Sequence, residues 1–312
     1  MSSARAFGKL ILIGEHAVVY GCPAIAAGID KGARAWATRS DSESHLSLGV
    51  SEVTADDSSE TSKAFRALLE PIYEAGRQRA PLKVEVTLDL PAGVGLGASA
   101  AIAVAIARAA CSALGVEPSE RLLLRAANAW ESVFHGNPSG VDVAAAMAQA
   151  PIWFVRGSQP KPLECAVPLC LAVALAGPPA ATHRMVELVA ELREQRPISF
   201  DQALERVNSL AELARRAIRE GDLPTLGRCF DENQRELEGF GVSTAELDKA
   251  CYLARGAGAF GAKLTGAGGG GAVIALCDAS PQAVLDAWSR EGIQAFAAEV
   301  AASPSPPKSN TP

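Results

Sequence analysis

The chain has 312 residues, 48% of them hydrophobic and 21% charged, with a net charge of -6. This is the composition of a soluble globular protein with room for one large or two medium domains, and the acidic balance without a basic run excludes a nucleic-acid surface. Seven cysteines, at 22, 111, 165, 170, 229, 251 and 277, include no Cys-x-x-Cys pair; a reducing, cytoplasmic setting with buried thiols is expected, not a disulfide frame or a zinc site. No apolar run is long enough to span a bilayer, and neither a signal peptide nor a membrane partner is expected.

Residues 6–19 read AFGKLILIGEHAVV. The apolar run Leu10–Ile13, bounded by Gly8 and Gly14, predicts a core strand, with Lys9 at its start and Glu15 and His16 past its end. Such a lysine is either solvated or a cation aimed at phosphate. Residues 40–62 are polar and acidic and read as a surface loop or strand connection. From Lys63 to Arg79, residues Ala64, Leu68, Leu69, Ile72 and Tyr73 keep helical spacing, with Pro71 as a kink or the start of a second turn. Val84, Val86, Leu88 and Leu90 then alternate with polar residues, the period of a half-buried strand.

The next stretch, PAGVGLGASAAIAVAIARA at 91–109, organises the chain. Gly93, Gly95 and Gly97 separate the strand from an apolar, alanine-rich run that predicts a buried helix. Glycines let a ligand come close to main-chain N–H groups, and the helix start leaves N–H groups unpaired at its positive dipole end. Strand, loop and helix N-terminus, with Ser99 in the first turn, make a natural phosphate seat; the plainer alternative is a tight turn that needs glycine. No Gly-Lys-Ser or Gly-Lys-Thr closes the loop, so it is not a Walker A loop, and a lysine and metal ligands must come from elsewhere.

Ser119 reads as the cap of a helix running to about Phe134, broken by HGNPSG at 135–140. Ser139 is the expected N-cap of a helix opening Gly140-Val141-Asp142. Glu131 and Asp142 therefore flank one sharp loop, and a carboxylate in a first helical turn is favoured in its charged form. Strand-like pieces follow at Ile152–Val155 and Cys165–Val167, then a core strand at Leu169–Ala176 ended by Gly177-Pro178-Pro179. Amphipathic helices are expected at Thr182–Leu192, Phe200–Glu220, Leu223–Glu236 and Thr244–Ala254. In AFGAKLTGAGGGGAVIAL at 259–276, Gly266, Gly268 and Gly271 formally satisfy a dinucleotide fingerprint. A strand follows them, where that fingerprint needs a helix, so a hairpin-like glycine loop is expected instead. Pro281–Glu291 predicts a helix and Ala295–Val300 a last strand. The domains are expected at 1–168 and 169–301, with a disordered Pro/Ser-rich tail at 302–312.

GKLILIGEHAVVYG at 8–21, PAGVGLGASAA at 91–101 and KLTGAGGGG at 263–271, in this order and spacing, resemble the GHMP kinases. The family name joins galactokinase, homoserine kinase, mevalonate kinase and phosphomevalonate kinase. Glu131 with HGNPSGVD at 135–142 narrows the likeness to the branch that acts on mevalonate. The resemblance implies an α+β, two-domain GHMP kinase fold. Its N-terminal domain would be like domain 2 of ribosomal protein S5 and its C-terminal domain a ferredoxin-like α/β sandwich, with the active site in the cleft between them. It implies ATP-dependent phosphorylation of the 5-hydroxyl of mevalonate, with Mg2+ as cofactor. The alternative is another alcohol of the family, phosphomevalonate or a sugar; a nucleotide-binding regulator without catalysis is the reading from another class.

The resemblance also implies residue roles. Pro91, Gly93, Gly95, Leu96, Gly97, Ala98, Ser99 and Ala100 would hold the ATP phosphates. Ser99 and Glu131 would hold the metal. Asp142 would act on the substrate hydroxyl as base or orienting group, and Lys9 would stabilise developing charge. Glu15, His16, Thr265, Gly266 and Ala267, with Lys9 and Asp142, would line the substrate side. Two departures stand out: Ala98 precedes Ser99 where the family has two serines, and Thr182-His183-Arg184 replaces a Thr-Lys or Thr-Arg pair. A homodimer is expected only by analogy.

Overall fold

A computed structural model describes residues 2–91, 93–135 and 140–303. In chain order the elements are β1 (Ser2–Ile13), a short 3-10 turn (Ala17–Tyr20), β2 (Ala24–Arg39), β3 (His45–Leu48), β4 (Ser51–Thr54), α1 (Glu60–Gly76) and β5 (Leu82–Leu88). Next come α2 (Ala98–Leu114), α3 (Glu120–His135), α4 (Val141–Met147), β6 (Pro151–Phe154), β7 (Lys161–Pro162) and β8 (Leu169–Leu175). The remainder comprises α5 (Thr182–Gln195), α6 (Pro197–Glu220), α7 (Leu223–Gly239), α8 (Ala245–Gly256), β9 (Gly261–Thr265), β10 (Ala272–Cys277), α9 (Gln282–Arg290) and β11 (Ala295–Val300).

The chain forms two compact units, neither of them one continuous segment: residues 1–10 with 28–149, and residues 11–27 with the chain from 150 onward. Ala150–Val167 groups with the second unit, where the sequence reading put it in the first domain. Within that unit the Ala166 N–H donates to the Ile218 carbonyl at 3.1 Å, the Arg215 guanidinium lies 5.0 Å from the Trp153 ring centre, and the opening part of β2, Ala24–Ala27, lies antiparallel to β6, from Phe154 back to Pro151.

In the first unit, β5 pairs antiparallel with Ala33–Arg39 of β2 and parallel with β3, which forms a hairpin with β4. Val84 and Val86 point into the core while Lys83 and Glu85 face out, as a period of two requires. Helices α1, α2, α3 and α4 build that core with Phe65, Leu68, Val104, Ile106, Leu123 and Val143. α2 is apolar on nearly every side and correspondingly buried, and Pro71 sits buried inside α1. Residues 40–62 hold more structure than a loop: β3, β4 and the start of α1, whose Ser59 cap accepts from the Ser62 N–H.

The second unit has a four-stranded antiparallel sheet ordered β11-β8-β10-β9. With its helices it runs β8, helices, β9, β10, α9, β11, the split βαββαβ pattern of ferredoxin-like folds. Its core joins Ala172 and Ala174 of β8, Leu264 of β9, Val273 of β10 and Trp288 of α9 to Val189, Phe200, Leu237 and Leu247 of the other helices. Cys165–Val167 is not a strand; β7, at Lys161–Pro162, pairs with β6 instead. At the start of the expected tail the Ser303 N–H donates to the Cys165 carbonyl at 2.8 Å; residues 304–312 lie outside the described residues. All seven cysteines are free thiols. Burial pushes Cys251 up to about 12 and Cys111, Cys165, Cys229 and Cys277 to about 11, which leaves little reactive thiolate.

Helix α7 meets β9 where Gly227 faces Gly261: a Cβ on Gly227 would stand 2.4 Å from the Phe260 carbonyl carbon, whereas one on Gly239, in the same helix but away from this contact, would meet nothing within 4 Å. Gly227→Ala should therefore destabilise the protein by about 2 kcal/mol or more through overpacking, while Gly239→Ala should be neutral or stabilise by up to about 1 kcal/mol through the unfolded chain. Thermal unfolding of both variants checks the contrast; equal midpoints would contradict it.

Candidate active site

In the first unit the site is built where a glycine loop lies on a strand. Gly93, Gly95 and Gly97 take φ values of +76°, +79° and +72°, the left-handed region that glycine enters without steric cost. At Gly97 the constraint is double: a Cβ there would stand 3.0 Å from Lys9 Cβ and 3.3 Å from Lys9 N. The Lys9 N–H donates to the Leu96 carbonyl at 2.8 Å, fastening loop to strand. Gly97 caps α2, and the first helical hydrogen bond runs from Ala101 N to Gly97 O at 3.0 Å. The N–H groups of Ala98, Ser99 and Ala100 thus have no partner within their own helix, the condition for an anion seat. Pro91 and Gly93 lie in the described loop; Ala92 lies outside the described residues.

Lys9 is not at the start of its strand, as the apolar run suggested, but in the interior of β1, because pairing extends the strand back to Ser2. Its side chain is 8% exposed and its ammonium stands 2.9 Å from Asp142 Oδ1 in the first turn of α4, where the carboxylate is 43% exposed. One member of the pair is thus shielded and the other open to a ligand. Gly140, at φ +80°, caps α4; Ser139, the expected cap, and Gly136–Pro138 lie outside the described residues.

On the neighbouring helices, the Ser99 hydroxyl donates to Glu131 Oε1 and accepts from the Trp130 indole N–H at 3.1 Å. Glu131 is 4% exposed. A hydroxyl and a carboxylate in direct contact are hard oxygen donors that suit Mg2+, which takes one or two protein carboxylates and completes its shell with phosphate and water. Among the described residues no group of three or more His, Cys, Asp or Glu side chains is arranged to hold a metal alone.

The second unit holds the remaining expected residues. Glu15 and Lys263 form a buried ion pair, 1% and 0% exposed. The Lys263 ammonium also donates to the Leu264 carbonyl at 2.6 Å, and Asn233 Nδ2 donates to Glu15 Oε2 at 3.3 Å. Thr265 Oγ1 accepts from the Ile11 N–H at 2.9 Å and donates to the Ile11 carbonyl at 3.1 Å. His16 takes φ +59°, unusual for a residue with a side chain, and its Nε2 stands 2.8 Å from the Ala267 carbonyl. Strands β9 and β10 flank the five glycines at 266 and 268–271, all at positive φ. The loop is thus a hairpin connection, as its sequence context predicted. Sequence alone gives no role to Lys263, Asn233 or Trp130: GAKLT holds two polar residues, Lys263 and Thr265, yet all five of its residues are buried.

Unpaired N–H groups at a glycine-hinged helix start, beside a shielded lysine and an open carboxylate, suit the transfer of a phosphoryl group to a small alcohol and define the class, a small-molecule kinase. Residues 60–149 match the GHMP kinases N terminal domain, and residues 214–294 match GHMP kinases C terminal. Mevalonate kinase of Pyrococcus horikoshii is 33% identical, with 91% of each chain covered. That of Methanothermobacter thermautotrophicus is 35% identical, covering 93% of this chain and 94% of the relative. The structure of L. major mevalonate kinase in complex with R-mevalonate superposes with a TM-score of 0.86 at 28% identity, covering 97% of both chains. The chain belongs to the GHMP kinase family.

Burial holds the His16 imidazole below its ordinary value, and the hydrogen bond to the Ala267 carbonyl acts the other way. As pH falls the unfolded chain binds this proton first. The stability His16 contributes is therefore intact above about pH 6.5 and is lost as pH falls through the lower folded value. Urea unfolding at about pH 7.5 and about pH 5.5 should show lower stability at the acid end, with a smaller loss in His16→Asn. An equal loss in both proteins would contradict the assignment.

Proposed function

We propose that the protein transfers the γ-phosphoryl group of ATP to the 5-hydroxyl of mevalonate, giving 5-phosphomevalonate and ADP. The observation that carries the chemistry is the Lys9–Asp142 pair beside the N-terminus of α2. The choice of alcohol rests on the likeness to relatives named for mevalonate over nearly the whole chain.

Each group has a role that follows from its setting. The N–H groups of Gly93–Ala100 and the dipole end of α2 cradle the phosphates. Pro91 and Leu96 shape the loop that presents them; Leu96 does so through its carbonyl bond to Lys9. Asp142, open to solvent, accepts the hydroxyl proton or orients the hydroxyl for in-line attack. Lys9 fixes the carboxylate and faces the charge that develops on the transferring group. Ser99 and Glu131 would hold Mg2+, with Trp130 orienting the serine hydroxyl; bound there, the ion would supply neutralisation of charge on the phosphate oxygens. To the second unit we assign recognition of the alcohol, by His16, Thr265, Gly266 and Ala267, with Glu15, sealed from solvent, acting through the turn it shares with His16.

ADP release with ATP, magnesium and a panel of mevalonate, 5-phosphomevalonate, galactose and homoserine tests the reading, which expects turnover with mevalonate alone. Turnover with another member of the panel overturns the substrate. Asp142→Asn should lower kcat by about 10³-fold or more while ATP still binds; an unchanged kcat would remove Asp142 from its role. Glu131→Gln should raise the magnesium concentration needed for half-maximal rate, and an unchanged requirement would move the metal elsewhere.

A further inference from the structure

The pair at Lys263 and Glu15 has more contacts than charge balance alone requires. Lys263 is fully buried in the middle of β9, a strand whose five residues are all buried. Its ammonium contacts Glu15 Oε1, the Leu264 carbonyl at 2.6 Å and the Ile11 carbonyl at 3.4 Å, one acceptor for each of its three donors. Glu15 is held from its other side by Asn233 Nδ2. Asn233 is 1% exposed, and its Oδ1 finds no hydrogen-bond partner among the described residues. An orphan buried amide oxygen costs stability, so what this side chain contributes is its donor to Glu15.

Glu15 lies between Gly14 and His16. Gly14 takes φ +100°, and a Cβ there would stand 2.6 Å from the Pro23 carbonyl oxygen. His16 takes φ +59° and meets Ala267 in the glycine loop. Strain of this kind persists only where surrounding contacts over-determine the backbone. The surrounding contacts here are the anchored carboxylate on one side and the Ala267 carbonyl on the other.

We propose that Lys263 is a positioning residue: through its buried pair with Glu15 it fixes the Gly14–His16 turn, and with it the His16–Ala267 contact that sets the 266–271 loop. Glu15 then serves the substrate side through His16 and the loop. The inference rests on the assignment of His16 and Ala267 to the alcohol, and its readouts separate the two.

The test uses the full chain and three variants, read by steady-state kinetics with mevalonate and ATP and by NMR titration of isotope-labelled histidine. Wild-type turnover with mevalonate tests the functional assignment by itself. Lys263→Met leaves a buried, uncompensated carboxylate and can fail to fold. Lys263→Met combined with Glu15→Gln removes both charges and leaves no such group. Asn233→Leu keeps the ion pair and removes only the side tie. The double variant should raise KM for mevalonate about tenfold or more with KM for ATP within about twofold, and His16 should titrate closer to its ordinary value. Asn233→Leu should shift both readouts in the same direction by less. Wild-type KM and an unmoved His16 titration in whichever of these two variants folds would reduce the pair to a structural contact and overturn the proposal. If wild type turns over another alcohol, the same readouts are taken with that alcohol. If it turns over none, the His16 titration decides the positioning claim by itself.

Discussion

A lysine set inside a strand has to find a counter-charge, and much of the first unit follows from where Lys9 finds it. Its stem is shielded, with the glycine loop lying on its backbone, and its ammonium stands against Asp142. Exposed ion pairs contribute little, but removing one partner of a shielded charge costs much more. The pair therefore fixes α4 to β1. The close approach that shields Lys9 is the one that obliges Gly97 to be glycine. Gly97 in turn begins α2 and frees its first N–H groups. The free helix start and the Lys9–Asp142 pair thus meet at one close packing contact.

The second unit uses the same device with the opposite exposure. Lys263 and Glu15 are both sealed from solvent, and burial pulls the lysine below its ordinary value while Glu15 works against that shift. A sealed pair cannot exchange protons with substrate or bind it, but it can hold a strained turn in place. The Lys9–Asp142 pair, half open, suits chemistry; the Lys263–Glu15 pair suits geometry. The difference lies in burial, since the residue types are nearly the same.

Much of this could be read from the sequence. The alternation around Val84 and Val86 marks β5 because a period of two is a local property. The glycine spacing at 93, 95 and 97 marks a helix start for the same reason, and the strand after Gly271 excluded a dinucleotide fingerprint. Burial that depends on a distant partner was not legible. Lys9 reads as a strand-end lysine until Asp142 is placed beside it. Lys263 reads as one polar residue in GAKLT until Glu15 and Asn233 enclose it. The positive φ of His16 has no signature in the residue type, and the Ala267 carbonyl that its ring meets lies 251 residues away in the chain. The grouping of residues 11–27 with the chain beyond 150 was equally hidden, because it rests on partners distant in sequence: Thr265 for Ile11, Lys263 for Glu15 and β6 for Ala24–Ala27.

The central claim, that Lys9 and Asp142 act as one unit in phosphoryl transfer, is tested most directly by a double-mutant cycle on kcat. The cycle takes Lys9→Met, Asp142→Asn and the two together, each confirmed to be folded. If the residues act as a unit, the double variant is about as slow as the slower single one, because either change already abolishes the shared function. If the effects multiply, so that the double variant loses the product of the two factors, the residues act independently and the account is contradicted.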